Sequence, residues 1–217
     1  MTRRLFLLPG LGADERLFAQ IEPLCLPVIT PRLPVPQPHE SMPAYSLRVT
    51  AMLDLRPEDW IGGCSFGSIV AADIARRRSV KGLVLIGGAL SPDSLISAWQ
   101  WLALMRPLVP VRSLHPLLAS CAVISLCFGA LPEPVLHVLL DMFKNTPDAM
   151  LEEGARLLSG YRSTIPPLCP VHAIHGTHDR FMRPPPVPDC HLLHDAGHAL
   201  ALTHPHEVST FLRAVIC

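Results

Sequence analysis

Residues 61–71 read IGGCSFGSIVA and contain the pentapeptide GCSFG at 63–67, which matches the pattern G-x-S-x-G. Apolar residues precede it, and residues 68–78 carry apolar side chains at helical spacing, which predicts a strand, a tight turn and a helix. A serine on such a turn projects outward at the carboxyl edge of a sheet, and the flanking glycines avoid collisions with the neighbouring strand and helix. The stretch therefore predicts an exposed serine nucleophile at Ser65.

Strand and helix signals alternate on both sides of this turn. Short apolar runs predict strands, helical spacing predicts helices at 44–55 and 68–78, and the last helix carries apolar residues at i, i+3, i+4 and i+7 from Val208. Alternation of this kind predicts a parallel sheet with right-handed crossovers, of about six strands. Besides the run before Ser65, the predicted strands lie at 5–8, 28–29, 81–86, 170–174 and 190–193.

The pattern changes between residues 91 and 162, where prolines separate helical segments at 93–105, 114–128, 134–144 and 147–159. We interpret this region as a helical lid inserted into a single domain, 1–217. Residues 113–132 lack Asp, Glu, Lys and Arg, but Pro116 interrupts the run and leaves it too short to span a bilayer. A buried or lid helix is favoured over a membrane anchor. The lid's apolar side chains either line a substrate pocket or pack helix on helix; the pocket candidates are Trp99, Trp101, Met105 and Met142.

Composition narrows the class of protein. The 217 residues include 18 basic and 18 acidic side chains, so the net charge of zero leaves no electrostatic signature for nucleic acid or anionic lipid. Hydrophobic residues make up 49% and charged residues 17%, which argues against disorder. The seven cysteines are scattered and form no C-x-x-C pair, which favours reduced thiols and a cytoplasmic protein.

A serine hydroxyl needs a general base, and the base needs a carboxylate that orients it. On this architecture the chain order is serine, acid, histidine. Asp179 follows the 170–174 strand and His198 follows the 190–193 strand, so both lie beyond carboxyl ends of strands, where open α/β sheets place their sites. Asp195 is the other candidate acid, but it lies in the same turn as His198 and is poorly placed to orient the imidazole. Asp14 is interpreted as a helix cap and Cys64 as a core thiol.

With these residues in place, the chain resembles the α/β-hydrolase superfamily, and most of all its short bacterial serine hydrolases. The matching segments are FLLPGLGADERLF (6–18), IGGCSFGSIVA (61–71), AIHGTHDRF (173–181) and DAGHALALTHPHEVSTFL (195–212). The resemblance implies a triad of Ser65, Asp179 and His198, with an oxyanion hole formed by the backbone N–H groups of Leu11 and Phe66. The usual helix between the acid and the histidine is missing. The chain also offers nothing upstream for the extra antiparallel edge strands of larger members, so a sheet trimmed to about six strands is expected.

Eleven histidines invite a metal hypothesis, but His172 and His175 point to opposite faces of a strand and no H-E-x-x-H occurs, so neither a metal nor a cofactor is expected. His175, His178 and His194 are expected to be loop or half-buried groups near the site.

The predicted activity is hydrolysis of a small or medium hydrophobic ester. The alternatives are an acyl thioesterase or acyl-carrier esterase, a hydrolase-fold binding protein without turnover, and a membrane-associated lipase. The natural substrate and the oligomeric state are not indicated by the sequence.

Overall fold

A single parallel sheet of six strands organises the chain. The computed structural model describes residues 3–96, 124, 125, 128 and 131–217. Within them the strands are β1 (Leu5–Leu8), β2 (Val28–Ile29), β3 (Trp60–Ser65), β4 (Gly82–Gly88), β5 (Val171–Gly176) and β6 (Cys190–Leu193). The strand order is β2-β1-β3-β4-β5-β6, and every neighbouring pair is parallel. The predicted sheet is therefore confirmed.

Helices cover both faces of the sheet. The described helices are α1 (Met42–Leu53), α2 (Phe66–Arg77), α3 (Glu133–Lys144), α4 (Asp148–Gly160), α5 (Leu200–Thr203) and α6 (Pro205–Ile216), with 3₁₀ turns at Glu15–Phe18 and Pro92–Ser94. On one face, α1 and α2 pack over a core that includes Tyr45, Ile69 and Leu85. On the other face, the C-terminal helices pack over a core that includes Leu7 and Ile86. The central strands are buried on both sides, which is why they read as continuous apolar runs.

The segment predicted as a lid lies between β4 and β5. Its expected helices at 134–144 and 147–159 are observed as α3 and α4. An α-helix is expected at 93–105, but the segment begins with the end of a 3₁₀ turn. Leu95, which follows that turn, forms an antiparallel bridge with Met182. The rest of that segment, and most of the one at 114–128, lie outside the described residues. None of the described helices combines the length and the apolar composition that a membrane span requires.

One prediction about the cysteines is wrong. Cys25 and Cys217, separated by 192 positions, form a disulfide between the segment before β2 and the end of α6. The spacing of cysteines in the sequence does not reveal such a pair, since it is the packing of α6 against the sheet that brings Cys217 close to Cys25. The disulfide weakens the reason for expecting a reducing compartment, because disulfides persist mainly in oxidising ones. Cys64, Cys169 and Cys190 are free.

Candidate active site

The predicted site residues lie at the carboxyl edge of the sheet. Leu11 follows β1, Ser65 ends β3, Asp179 follows β5 and His198 follows β6. The strand order reverses between β1 and β3, since β2 lies on one side of β1 and all later strands lie on the other. Ligands of open α/β sheets bind in the crevice at such a reversal, so Ser65 and the loop after β1 lie where the topology places a site.

Ser65 has a strained backbone. It is the last residue of β3 and the N-cap of α2, with φ 51° and ψ −121°. This conformation is costly for a residue with a Cβ, by about 1–3 kcal/mol, and strain of this kind concentrates at functional sites. The register between β3 and β4 also shifts between Gly63 and Ser65. The predicted tight turn is therefore present at the serine.

The glycines around Ser65 are required by close backbone contacts. A Cβ on Gly67 would lie 2.2 Å from the carbonyl oxygen of Leu8, and one on Gly63 would lie 2.6 Å from the same oxygen. A Cβ on Gly10 would lie 3.3 Å from the Ser65 Cβ. The two glycines of the pentapeptide therefore let α2 and β3 approach the end of β1, which brings Ser65 beside the loop that contains Leu11.

Asp179 and His198 form a hydrogen-bonded pair. Asp179 Oδ2 lies 2.8 Å from His198 Nδ1, and both side chains are almost fully buried. Asp179 Oδ1 accepts hydrogen bonds from the backbone N–H groups of Phe181 and Met182, at 2.7 Å and 2.9 Å. The carboxylate is thus held on both oxygens and directed at the imidazole.

The ionisation of Asp179 follows from its surroundings. Burial alone would raise the pKa of the carboxyl, but the charge of a protonated His198 and the hydrogen bonds from His175, His198 and the Met182 N–H together hold that pKa well below its usual range. Asp179 is therefore an anion at any neutral pH. An anion at this position keeps a proton on His198 Nδ1, which leaves Nε2 as the nitrogen able to accept a proton from a substrate or nucleophile.

Two loops must come together for this pair to form. The N–H of His178 donates to the carbonyl of Ala196, at 2.9 Å, and the N–H of Thr177 donates to that of Leu193, at 3.0 Å. A Cβ on Gly176 would lie 2.2 Å from the Ala196 oxygen, so only glycine permits this approach. The turn after β5 and the turn after β6 are therefore joined through their backbones.

Aromatic rings surround His198. The ring of Phe181 stacks on the imidazole at a centroid distance of 4.9 Å, and the ring of Phe128 lies 5.6 Å from it. Neither residue is among the predicted site residues. Phe181 lies two positions after the acid, in one of the segments that carry the resemblance, whereas Phe128 lies in the charge-free stretch and gave no signal of its own. The two rings make the surroundings of His198 apolar.

The loop after β1, residues 9–14, contacts both α3 and α4. A Cβ on Gly12, which has φ 81°, would overlap the ring of Phe143 in α3, and a Cβ on Gly154 in α4 would lie 2.5 Å from Leu11 Cδ1. The backbone N–H of Asp14 donates to Met142 Sδ at 3.5 Å. The position of the Leu11 peptide therefore depends on how α3 and α4 pack.

Phe66, the other predicted oxyanion donor, is the first residue of α2 and is fully buried. The N–H groups of a first helical turn have no partner within the helix and carry the positive end of the helix dipole. The Phe66 N–H, directly after Ser65, therefore suits an anion developing beside the serine.

The remaining predicted residues lie as follows. Met142 is 1% exposed and belongs to the core packed on the α6 side of the sheet. Asp14 caps the first 3₁₀ turn, as expected, and Cys64 is buried, which raises the pKa of its thiol to about 12. Asp195 is exposed and points to His178. Trp99, Trp101 and Met105 lie outside the described residues.

One histidine departs from its expected environment. His175 was expected in a loop or half-buried, but it lies in β5 and is fully buried, with its Nε2 3.2 Å from Asp179 Oδ2. No pattern in the sequence predicts that a histidine such as His175 is buried on a strand that is covered on both faces. Over the ranges that are described, no group of three or more His, Cys, Asp or Glu side chains is arranged to hold a metal ion.

Comparison with known proteins supports the fold. No protein-family model matches the chain, and no curated protein sequence matches it. Solved structures do match over nearly the whole chain. A thermophilic esterase from Thermogutta terrifontis is 20% identical, with a TM-score of 0.74 over 99% of this chain and 89% of its own.

Two further structures match in the same way. An α/β-hydrolase-fold protein from Burkholderia ambifaria is 17% identical, with a TM-score of 0.68 over 100% of this chain and 90% of its own. The enol-lactonase from Burkholderia xenovorans is also 17% identical, with a TM-score of 0.70 over 98% of this chain and 92% of its own. The chain therefore has the α/β-hydrolase fold.

Proposed function

We propose that this protein is a serine hydrolase that cleaves carboxylic esters through an acyl-enzyme on Ser65. The hydrogen bond of 2.8 Å between Asp179 and His198, at the same sheet edge as the strained Ser65, carries the proposal. Two of the similar structures bear the names esterase and enol-lactonase, and both names denote cleavage of an ester bond. The agreement of fold, strained serine and oriented histidine supports this reaction class.

In the proposed mechanism, His198 Nε2 accepts the proton of the Ser65 hydroxyl as the oxygen attacks the ester carbonyl. The tetrahedral oxyanion is held by the N–H groups of Leu11 and Phe66. His198 then gives its proton to the leaving alcohol, and the acyl group remains on Ser65. A water molecule, deprotonated by His198, releases the acid and restores the serine. Asp179 stays ionised throughout and stabilises the imidazolium.

The segment at 91–162 is assigned as the lid in this proposal. The contacts of α3 and α4 with residues 9–14 support it, since helices of a lid are expected to lie against the proposed oxyanion loop. The rings of Phe128 and Phe181 support a hydrophobic acyl or alcohol group, because a substrate reaching His198 would meet apolar surface there. Such a site suits esters of small or medium size.

The test combines labelling and turnover. The purified protein is treated with a fluorophosphonate probe and assayed with p-nitrophenyl esters of increasing acyl length. We expect labelling at Ser65, and a loss of roughly 10⁴-fold or more in kcat for Ser65→Ala. Ser159→Ala is the matched control, since Ser159 is an exposed serine in α4. A folded Ser65→Ala variant that keeps wild-type activity would overturn the proposal.

A thioester of the best acyl chain separates the two closest reactions. The same triad serves both leaving groups, so kcat/KM is measured for the ester and the thioester of one acid. A higher kcat/KM for the ester supports an esterase, and a clear preference for the thioester replaces the ester by an acyl thioester as substrate class. A folded protein that binds the probe's alkyl group but is not labelled would indicate a binding protein.

A further inference from the structure

His175 is a buried histidine that the proposed mechanism does not use. It lies on β5, four positions before Asp179, and its side chain is fully buried. Its Nε2 lies 3.0 Å from the carbonyl oxygen of Met182 and 3.2 Å from Asp179 Oδ2. One ring nitrogen therefore faces two oxygens of the same loop, one of which belongs to the acid of the site.

The partners of His175 determine its protonation state. A carbonyl oxygen only accepts hydrogen bonds, so Nε2 must carry a proton that it shares between Met182 and Asp179. Nδ1 is buried and has no hydrogen-bond partner among the described residues. A proton there would be an unsatisfied buried donor, which is costly, so the ring is neutral with its only proton on Nε2.

A neutral donor at this position completes the environment of the carboxylate. Asp179 Oδ1 already accepts two backbone N–H groups, and Oδ2 faces both His198 and His175. An ionised carboxylate offers about four acceptor positions, so all of them are used. Without His175, Oδ2 would be restrained on one side only, by the histidine that it must orient.

We propose that His175 is a positioning residue that fixes Asp179 Oδ2, and through it the orientation of the His198 ring. The inference rests on the proposed function, since it gives Asp179 and His198 their part in catalysis. His175 acts through Asp179 and touches no reacting atom. Its bond to Met182 also fixes the loop that supplies the N–H donors of Asp179 Oδ1, so one side chain orders both oxygens.

Titratable side chains approach this carboxylate from the turn after β6 and from strands β5 and β3. The carboxylate of Asp179 faces His198 in the turn after β6 and His175 in β5. The Cys64 thiol in β3 lies near enough for Asp179 to contribute to the raised pKa of that thiol. Burial, the larger cause, keeps that thiol neutral in any ordinary assay. The positive end of the His175 Nε2–H dipole points at Oδ2. It attracts the negative charge of the carboxylate, which leaves less of that charge to stabilise a protonated His198.

Removal of that dipole therefore has two expected effects. The carboxylate gains rotational freedom, so kcat falls while KM changes little. Oδ2 also stabilises the imidazolium more strongly, so the acid limb of the pH profile of kcat/KM moves to higher pH. A side chain that only fills space would change the stability of the protein and leave the acid limb where it is.

The test compares His175→Leu with His175→Gln. Leucine fills a similar volume without a donor, whereas the glutamine amide nitrogen reaches about as far as Nε2. For His175→Leu we expect kcat to fall roughly 10- to 100-fold, the change that corresponds to a lost hydrogen bond to a charged group. For His175→Gln we expect kcat and the acid limb to return to within about threefold and a few tenths of a pH unit of wild type. If the leucine variant does not fold, His175→Met replaces it.

A readout without turnover keeps this inference separate from the proposed function. Nitrogen-15 NMR of the wild-type protein should show His175 with its proton on Nε2, and the low-field proton of His198 Nδ1 should shift in His175→Leu and return in His175→Gln. These results would support the positioning role even if Ser65→Ala showed that Ser65 is not the nucleophile. A proton on Nδ1 of His175, an unchanged acid limb in His175→Leu, or equal losses in a folded Gln variant would overturn it.

Discussion

Asp179 Oδ2 lies 2.8 Å from His198 Nδ1, and both side chains are buried, whereas Asp195, only three positions before the histidine, is 89% exposed and faces His178 at 3.8 Å. Proximity in sequence and proximity in space therefore favour different acids. The more distant residue is the one that reaches the imidazole, because the turns after β5 and β6 are joined through their backbones.

Exchange of each carboxylate for its amide separates the two acids. Asp179→Asn should lower kcat/KM for an ester by roughly 10³- to 10⁴-fold, because an amide favours the wrong tautomer of His198. Asp195→Asn should stay within about threefold of wild type, and asparagine tolerates the φ of 61° at this position. Steady-state kinetics on both purified variants decide the matter. A larger loss for Asp195→Asn would mean that the acid is wrongly assigned.

The glycine after Ser65 should be intolerant of any side chain. In Gly67→Ala the new Cβ would lie 2.2 Å from the Leu8 oxygen and 2.4 Å from that of Pro9, both of them backbone atoms that cannot turn away. We expect a loss of roughly 3 kcal/mol in the free energy of unfolding, measured by urea denaturation. The control is Gly160→Ala, since a Cβ there has no atom within 4 Å. Equal stability of the two variants would contradict the close packing at the turn.

Reduction of the disulfide should destabilise the protein. The bridge between Cys25 and Cys217 closes a loop with a sequence separation of 192, for which loop-closure entropy corresponds to roughly 5 kcal/mol. We expect a reducing agent to lower the Tm of the wild-type protein and to leave that of Cys25→Ser unchanged. Peptide mapping without reduction should recover the two cysteines in one cross-linked fragment. Separate fragments from freshly purified protein would show that the bridge is not formed.

Stability should fall in acid partly because of Asp59. Burial would raise the pKa of this carboxyl, but hydrogen bonds from the side chain and backbone of Arg4 and from the Arg56 N–H lower it below the usual value. Since the folded pKa lies below the unfolded one, of about 3.9, Asp59 contributes stability above that value and loses it as the pH falls through the folded pKa.

The difference in unfolding free energy between wild type and Asp59→Asn tests this sign. It should be constant above about pH 5 and shrink below about pH 4, where the wild-type carboxyl becomes protonated. Asp189→Asn is the control, because its carboxyl is largely exposed and should change the curve little. A difference that grows on acidification would contradict the lowered pKa.

Arg76 joins both ends of the segment assigned as the lid. Its guanidinium donates to the carbonyl of Leu90 after β4, and to the Tyr161 hydroxyl and the Ile165 carbonyl after α4. In Arg76→Met we expect faster amide hydrogen exchange at 88–96 and 158–168, because one buried and two part-buried acceptors lose their donor. Exposed Arg78, at the end of α2, provides the control variant Arg78→Met. Unchanged exchange in Arg76→Met would show that the two ends hold without it.

Much of the site could be predicted because local rules act on few residues. The pattern around Ser65 predicts a strand, a tight turn and a helix. The structure builds that turn with a positive φ at the serine and with glycines two positions before and after it. Asp179 and His198 could be placed at the sheet edge, because parallel strands end on the same side. Their pairing stays consistent with the predicted order of serine, acid and histidine.

The sequence by itself determined the alternation of strands and helices, the turn at Ser65 and the edge of the sheet at which the proposed site residues lie. Each of these features depends on neighbours within a few positions. Only the tertiary structure decided that His175 faces Asp179, that Phe128 and Phe181 enclose His198, and that Cys25 meets Cys217. These contacts depend on which strands lie side by side and on how loops close over the sheet edge. That geometry is set by the packing of the whole domain, and no spacing along the chain records it.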